Sequence, residues 1–319
     1  MSSQLTLCDG RQPVLVIAGP TASGKSGLAL RLAEAFDGVV INADSMQVYR
    51  ELRILTARPS AEAEARAPHR LYGVIPAVGP CSLARWRAMA LAEIAEVGRA
   101  GKQAILCGGT GMYLKGLMQG ISEIPEIAME TRAAARALQA EIGGAALRAR
   151  LAEEDPETAA RLHDGDTQRL IRAWEVVRGT GRALSDWTRE PDQAPEDLRF
   201  FSTLLMPPRA ELYAACDARL VEMIAGGGLE EVRDVMDQGI DASLPAMKAL
   251  GVPQLASQLR GDSTPEAALA LAQQETRRYA KRQMTWFRNQ LLPNMTLNEK
   301  LSESLLAEIF IKIRQFLLT

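Results

Sequence analysis

The sequence predicts an α/β fold in which a parallel sheet is flanked by helices, with an inserted all-helical domain and a helical C-terminal region. Apolar runs of strand length alternate with helical patterns over residues 14–120, the strand signal is absent over residues 122–195, and it returns near residue 199. Strands that alternate with helices form parallel sheets covered on both faces. We therefore predict a core of residues 1–121 and 198–319, interrupted by a helical domain of residues 122–197.

The first part of the core contains four apolar runs that are typical of buried strands, at residues 14–18, 39–42, 71–75 and 103–107. A helix is predicted over residues 82–99, because Leu83, Trp86, Ala90 and Ile94 recur at helical spacing. In a sheet of this kind, ligands bind outside the carboxyl ends of the strands. The residues that directly follow each strand are therefore the candidates for a site.

The remaining elements are mostly helical. The insertion is expected to contain helices at residues 131–140, 145–153, 156–162 and 167–178, the last beginning after Asp166 and ending at Gly179. A strand at residues 199–206 then returns the chain to the sheet. Helices follow to the C-terminus, and the one predicted over residues 297–318 is expected to pack on the core.

Composition excludes several classes of protein. Of the 319 residues, 47% are hydrophobic and 24% charged, as in ordinary globular proteins, and the net charge is −2. No apolar run approaches the roughly 18 residues of a membrane helix, so no membrane partner is expected. Residues 1–10 lack an export signal, which favours a cytoplasmic location. Four scattered cysteines and two histidines make a zinc site improbable.

A phosphate-binding loop follows the first strand. The pattern G-x-x-x-x-G-K-S/T is completed by Gly19, Pro20, Thr21, Ala22, Ser23, Gly24, Lys25 and Ser26. Strand, Gly-rich turn and helix is the context that this motif requires, whereas a chance match would lack it. The sheet is therefore predicted to be of the P-loop type. Backbone N–H groups and the helix N-terminus would bind phosphate oxygens, Lys25 would reach the outer phosphate, and the Ser26 hydroxyl would meet Mg²⁺.

Three further polar residues are candidates for the same site. Asp44 follows the second strand, where it could cap a helix, coordinate a metal as a Walker-B carboxylate, or act as a general base. Thr110 lies in a Gly-rich turn after a strand and is either a phosphate ligand or an ordinary turn residue. Arg219 is predicted on a helix, where it is either a solvated charge or a cation that stabilises a leaving group.

Positive charge is concentrated in two predicted helices of this acidic chain. Residues 277–288 combine cations, including Arg278, Lys281 and Arg282, with aromatic side chains that could stack on bases. The alternative is an amphipathic helix with a solvated basic face. A milder basic helix in the insertion carries Arg169 and Arg172. Together these helices indicate a groove for a polyanion.

Five stretches in this order resemble the tRNA dimethylallyltransferase (isopentenyltransferase) family. They are GPTASGKS at 19–26, NADSMQVY at 42–49, GGTGMY at 108–113, DTQRLIRA at 166–173 and YAKRQMTWFR at 279–288. The resemblance implies transfer of a dimethylallyl group from its diphosphate to N6 of adenine 37, beside the tRNA anticodon. It also implies that the loop binds the diphosphate of the isoprenoid, with Mg²⁺, rather than a nucleoside triphosphate.

The resemblance also implies roles for individual residues. Asp44 matches the general base, while Thr110 and Arg219 match positions that contact the diphosphate. The residues expected to bind tRNA are Asp44, Ser45, Met46, Gln47, Thr110, Arg132, Gln168, Arg169, Leu170, Ile171, Arg172, Arg278, Lys281 and Arg282. The expected partners are thus dimethylallyl diphosphate and the tRNA anticodon stem-loop, and we expect a monomer.

The chain departs from the family pattern in several places. Ala215 stands where a second Arg is usual, Arg70 follows His69 in place of a second His, and Val252-Pro253 replaces a Gly-Tyr step. No C-x-x-C pair lies near the C-terminus, which indicates a bacterial-type member without a zinc finger. The competing functions are prenyl transfer to free adenine nucleotides, a P-loop kinase or ATPase, and a non-catalytic RNA-binding protein.

Overall fold

The computed structural model describes residues 10–122, 124–189, 194–299 and 301–319. The chain forms two compact units, one of Met1–Met118 with Pro195–Thr319 and one of Gln119–Ala194. The expectation about an export signal rests largely on residues 1–9, which lie outside the described residues. No helix in the described ranges is both long enough and apolar enough to cross a membrane.

The first unit is built on a six-stranded sheet, and all of its strand pairs are parallel, as predicted. The strands are β1 Gln12–Ala18, β2 Gly38–Asn42, β3 His69–Arg70, β4 Gln103–Gly108, β5 Leu198–Leu205 and β6 Met295–Leu297. Their spatial order is β3-β2-β4-β1-β5-β6. The central strand β1 therefore lies between β4 and β5, which places the loop after it in the middle of the carboxyl edge.

Helices make up most of the rest of the chain. They are α1 Lys25–Ala35, α2 Ala61–Arg66, α3 Leu83–Arg99, α4 Gly111–Gln119, α5 Met129–Glu154, α6 Pro156–Arg161, α7 Thr167–Thr180, α8 Leu184–Arg189, α9 Arg209–Met223, α10 Leu229–Asp237, α11 Val252–Leu259, α12 Pro265–Gln290 and α13 Glu303–Leu318. A π-helical turn at Ile224–Gly228 joins α9 to α10, and a 3₁₀ turn at Ala246–Lys248 precedes α11.

The sheet is buried on both faces because side chains along a strand alternate between them. Val14 and Val16 of β1 belong to an apolar cluster that contains Trp86 of α3. Leu15 and Ile17 belong to a second cluster on the other face, with α1 and α13. This two-sided burial explains why the strand reads as a continuous apolar run.

The second unit consists of α5 to α8 around its own apolar cluster, which includes Leu147, Leu151 and Leu170. Residues 131–153 were predicted to form two helices, and α5 indeed breaks at Gly143, whose φ of 78° is left-handed. Helix α7 continues past the predicted stop at Gly179 and ends where Gly181 adopts φ 69°. A left-handed glycine is a common helix terminator.

Two predicted elements were wrong. The strand predicted at residues 71–75 lies instead at His69–Arg70, because Leu71 and Gly73 both have φ of 62°, which is incompatible with extended backbone. The predicted C-terminal helix begins later than residue 297, which belongs to strand β6. The helix starts after Ser302, whose side chain accepts a hydrogen bond from the Leu305 N–H at 3.3 Å.

Candidate active site at the carboxyl edge of the sheet

The strand register brings three sequence-distant loops to one edge of the sheet. Ala18, the last residue of β1, is paired with Gly108 of β4 and Leu204 of β5. Asn42, the last residue of β2, is paired with Cys107 of β4. Since parallel strands all end at the same edge, the loops that carry residues 19–26, 44 and 110 lie side by side.

The phosphate-loop motif has the geometry of an anion-binding turn. Gly24 adopts φ 89° immediately before α1, a conformation that favours glycine. Lys25 is 9% exposed, and its Nζ donates a hydrogen bond to the Pro20 carbonyl at 3.3 Å. Burial lowers the pKa of Lys25, and the negative charge of Asp44 opposes that shift. An anion placed here would relieve the cost of burying this cation.

A buried hydroxyl in the same loop has no partner within the protein. Ser23 Oγ forms no hydrogen bond, although water cannot reach it. A Cβ at Gly19 would lie 2.8 Å from this oxygen and 2.7 Å from the Leu205 carbonyl, so only glycine fits there. Because buried polar groups are rarely left unpaired, the loop is suited to a ligand with hydrogen-bond acceptors.

Asp44 lies in a turn that Asn42 organises. The Asp44 N–H donates to Asn42 Oδ1 at 2.8 Å, and Asn42 Nδ2 donates to the Asp44 carbonyl at 3.0 Å. Asp44 Oδ1 accepts the Met46 N–H at 3.0 Å, so this carboxylate caps a turn rather than a helix. In the described chain no hydrogen bond engages Oδ2, which lies 3.6 Å from the position of a Cβ at Gly109.

Thr110 joins the turn after β4 to the Asp44 turn. Its Oγ1 accepts the Ser45 N–H at 2.9 Å and donates to Ser45 Oγ at 3.2 Å. The Thr110 N–H donates to the Ala43 carbonyl at 3.3 Å. The two turns are thus fixed relative to each other, and Thr110 has a structural role beside any role in ligand binding.

Arg219 reaches the phosphate loop from α9. Its Nη2 donates to Thr21 Oγ1, and burial lowers the pKa of its guanidinium. This placement rules out the alternative of a solvated surface charge. Ala215, one turn earlier on α9, is exposed and supplies no cation in the place of the second Arg that the family pattern expects.

Gln283 of α12 is a site residue that we did not predict from the sequence. Its Oε1 accepts the Thr21 N–H at 2.8 Å, and its Nε2 donates to the Gly109 carbonyl at 2.8 Å. The side chain is 6% exposed. One buried amide therefore connects the phosphate loop to the turn after β4. Its position within the quoted stretch YAKRQMTWFR was the only sequence signal available.

These groups surround a cavity of about 280 Å³ within the first unit. Thr21, Asp44 and Arg219 supply its polar wall, and Leu55, Leu220 and Met223 supply apolar surface. Tyr279 and Arg282 of α12 complete the lining. Burial raises the pKa of Tyr279, so that its hydroxyl stays neutral. A mixed lining of this kind suits a ligand with one charged and one apolar end.

The outer face of α12 presents exposed cations. Arg278, Lys281 and Arg282 are exposed and line a surface groove of about 510 Å³ together with Trp286. Arg277, which shares the predicted basic helix, is instead bound to both carboxylate oxygens of Asp217 at 2.7 and 2.8 Å. Arg277 thus fastens α12 to α9, while the other three are exposed to solvent.

The predicted tRNA contacts of the second unit fall into different environments. Gln168 and Arg169 are exposed, whereas Arg132 has a buried Nε without a hydrogen-bond partner. Arg172 is half-buried, burial lowers its pKa, and it lies 3.7 Å from Glu175. Ile171 packs partly against the apolar cluster of this unit.

Leu170 requires a correction, because its side chain is fully buried in that cluster. The side chain is thus inaccessible to tRNA and packs α7 against α5 instead. In the first unit, Ser45 and Met46 line the cavity. Gln47 is 9% exposed, and its Nε2 donates to the carbonyls of Thr56 and Ala57 at 2.8 and 2.9 Å. These bonds give Gln47 a structural role, and its tRNA contact stays a prediction.

Comparison with known proteins identifies the family. Residues 47–290 match the IPP transferase family. The tRNA dimethylallyltransferase of Paramagnetospirillum magneticum is 55% identical over 307 residues, which are 96% of this chain and 98% of that protein. The full-length tRNA isopentenylpyrophosphate transferase of Bacillus halodurans superposes with a TM-score of 0.68 at 30% identity, covering 96% of this chain and 97% of that chain.

A eukaryotic dimethylallyltransferase acting on tRNA has the same fold, with a TM-score of 0.74 at 25% identity over 86% of this chain and 70% of that chain. The resemblance carried by the five sequence stretches is thereby confirmed, as is the prenyltransferase class of the enzyme. The chain belongs to the IPP transferase family, as a bacterial-type member of the tRNA dimethylallyltransferases.

Proposed function

We propose that this enzyme transfers the dimethylallyl group of dimethylallyl diphosphate to N6 of adenine 37 in the tRNA anticodon loop. The C–O bond to the diphosphate breaks, a C–N bond forms, and the N6 proton leaves. The observation that carries the proposal is the convergence of Asp44, Arg219 and the phosphate loop on one cavity of about 280 Å³. A carboxylate, a guanidinium and the phosphate loop thus face one small cavity, which supports the proposal.

Asp44 is the proposed general base. An exocyclic amine of adenine is a weak nucleophile, since its lone pair is delocalised into the ring, and proton removal during bond formation lowers that barrier. Oδ1 is engaged by the Met46 N–H, while Oδ2 has no partner in the described chain. Oδ2 is therefore the oxygen that takes the proton.

The phosphate loop and Arg219 are proposed to bind the leaving diphosphate. Negative charge grows on the bridging oxygen as the C–O bond breaks, and fixed donors that face this charge lower the barrier. Lys25 and the Arg219 guanidinium are such donors, because each is held by a hydrogen bond before substrate binds. The buried Ser23 Oγ, which has no partner among the described residues, is a further donor. The resemblance to the family assigns Thr110 a further contact with the diphosphate, for which its hydroxyl proton would turn from Ser45 Oγ to the ligand.

The residues of the loop also fit a magnesium ion. Ser26 is exposed at the start of α1, and burial raises the pKa of the Cys107 thiol near it to about 11. Among the described residues no three His, Cys, Asp or Glu side chains cluster as metal ligands. Mg²⁺ requires no such cluster, because it is commonly held by one or two protein oxygens, waters and substrate phosphates. When bound, it would neutralise diphosphate charge, with Ser26 as its protein ligand.

The exposed cations of α12 support a nucleic-acid acceptor. Arg278, Lys281 and Arg282 lie along one groove, and Arg282 also lines the cavity. Cations attract the phosphate backbone without regard to sequence. The target base has to leave the anticodon-loop stack to enter the cavity, which is least costly in a single-stranded loop.

The proposal is tested by incubating the enzyme with unmodified tRNA, dimethylallyl diphosphate and Mg²⁺, followed by digestion and nucleoside analysis. We expect N6-dimethylallyl adenosine at position 37 and no product after chelation of the metal. Transfer to free AMP but not to tRNA would support the rival acceptor instead. Hydrolysis of ATP, with no prenyl transfer, would place the chain among P-loop kinases or ATPases.

A further inference from the structure

A short loop on the wall of the cavity is held by one carboxylate from α10. Glu231 Oε1 accepts the N–H groups of Arg53 and Ile54 at 2.5 and 2.7 Å, and Oε2 accepts the N–H of Leu55 at 2.9 Å. Three successive backbone donors thus converge on one anion. Charge-assisted bonds of this kind are shorter and stronger than neutral ones, so the loop has a defined position.

Glycines make room for the side chains of this loop. A Cβ at Gly228 would lie 3.0 Å from Leu55 Cδ2, and one at Gly251 would lie 3.4 Å from the same atom. Gly227, in the π-helical turn, has φ 104°, and a Cβ there would lie 3.3 Å from Ile54 Cδ1. Leu55 is only 6% exposed as a result. Its side chain is therefore confined both by its anchored backbone and by close packing.

The part of Leu55 that remains accessible faces the cavity, beside Leu220 and Met223. These two residues follow Arg219 on α9, one and four positions later, so Met223 lies on the same helix face. A diphosphate bound by Arg219 and Thr21 would direct the group attached to it along this apolar surface. The wall therefore faces the prenyl group rather than the leaving group.

The alternative, that this wall contacts the target base, is less compatible with its chemistry. A base edge needs hydrogen-bond partners, whereas the side chains of Leu55 and Leu220 have none to offer and Met223 has only a weakly accepting sulfur. The Thr56 hydroxyl, which also lines the cavity, already donates to the Leu52 carbonyl. Asp44 and Ser45, on the polar side, are the groups suited to adenine.

We propose that Leu55 limits the length of the prenyl group and that Glu231 is a positioning residue that holds Leu55 against it. This inference rests on the proposed function, since it concerns the donor of that reaction. The cavity volume of about 280 Å³ is close to the lower end of the roughly 300–1,000 Å³ of ordinary ligand pockets, and Leu55 forms part of its wall. A fixed wall excludes the next isoprene unit, whereas a mobile wall would yield to it.

The test compares dimethylallyl diphosphate with geranyl diphosphate, which is one isoprene unit longer, as donors to unmodified tRNA. Wild-type enzyme should use only the shorter donor. Leu55→Ala should raise the ratio of kcat/KM for geranyl over dimethylallyl diphosphate by about tenfold or more, within the range that one or more methylene groups determine in a pocket. Leu55→Val, which preserves packing better, should raise the same ratio less.

Glu231→Gln keeps the size of the side chain but removes its charge and one acceptor oxygen. We expect a higher KM for dimethylallyl diphosphate and an unchanged KM for tRNA. The ratio of kcat/KM for geranyl over dimethylallyl diphosphate should rise. Glu230→Gln removes the same charge from an exposed neighbour on α10 and should match wild type. Merely structural damage would instead affect both substrates alike.

Two failures remain distinguishable. If wild-type enzyme transfers no dimethylallyl group to tRNA, the proposed function itself fails. If it does, and folded Leu55→Val and Glu231→Gln enzymes keep the wild-type donor ratio, the proposed limit on prenyl length is overturned. An equal rise in the ratio with Glu230→Gln would likewise remove Glu231 from its positioning role.

Discussion

The phosphate loop and the outer face of α12 both present positive charge, but they hold it in different ways. Lys25 is buried and donates a hydrogen bond to the Pro20 carbonyl, and Arg219 donates one to Thr21 Oγ1. On α12, Arg278 and Lys281 are exposed, and Arg278 forms an ion pair with the neighbouring Glu275 at 2.6 Å. The first region is fixed before ligand arrives, and the second is solvated and adaptable.

The two regions therefore suit different kinds of anion. Donors fixed in a water-poor site act strongly on charge that develops at one atom, because they need no reorganisation. Exposed cations contribute mostly long-range attraction, which salt screens over a Debye length of about 8 Å at physiological ionic strength. Substitutions in the loop region should therefore change turnover, and substitutions on the outer face of α12 should change tRNA affinity.

The largest effect is expected for Asp44→Asn. The amide cannot accept the N6 proton, so turnover should fall by about 10²–10⁴-fold, the usual contribution of a general base. Binding of tRNA, measured by filter retention, should persist because no exposed cation is lost. Wild-type turnover in this variant would contradict the role of Asp44 as base. Asp37→Asn, at an exposed carboxylate that pairs with Lys102, is the matched control.

Arg219→Ala should have the next largest effect. Loss of a preorganised donor to a developing oxyanion typically costs about 10²–10³ in kcat, and single-turnover rates at saturating substrate would measure it. The effect should depend little on salt, because Arg219 is partly buried and is hydrogen-bonded to Thr21. Arg209→Ala removes an exposed cation from the start of the same helix and should leave the rate unchanged.

Gln283→Ala tests the bridge between the two loops. It leaves the Thr21 N–H and the Gly109 carbonyl without their partner, and a buried unpaired group costs about 1–3 kcal/mol. We expect a lower free energy of unfolding and a higher KM for dimethylallyl diphosphate, measured by denaturant titration and steady-state kinetics. Gln274→Ala, at an exposed position of α12, is the control. Equal stability of both variants would argue against the bridge.

The double variant Arg278→Ala, Arg282→Ala should have the smallest effect on chemistry and a clear effect on affinity. Binding of tRNA should weaken most at low salt, and the slope of log K against log salt should fall by about 1–2. The rate at saturating tRNA should change little if Arg282 serves binding alone. Arg260→Ala with Lys312→Ala removes two exposed cations elsewhere. If wild type, the α12 variant and the control variant had identical salt slopes, the exposed face of α12 would be a solvated surface that does not bind tRNA.

Much of this site was predictable because its signals are local in sequence. A Gly-rich turn between a strand and a helix specifies backbone geometry within eight residues, so the anion site at 19–26 follows from the motif. The alternation of strands and helices predicted the parallel sheet. Because ligands bind outside the carboxyl ends of parallel strands, Asp44 and Thr110 were candidates for the site. Failures occurred where backbone conformation overrode an apolar pattern, as at Leu71 with its positive φ.

The class of fold, the phosphate loop and the family follow from residue type and spacing along the chain. Which side chains line the site and which pack the core is visible only in the folded protein. Leu170 is buried in the core of the second unit, and Arg277 forms an ion pair with Asp217. Gln283 connects the phosphate loop to the turn after β4. The physical reason is that a side chain's role depends on burial and on partners brought close by folding, which spacing along the chain does not encode.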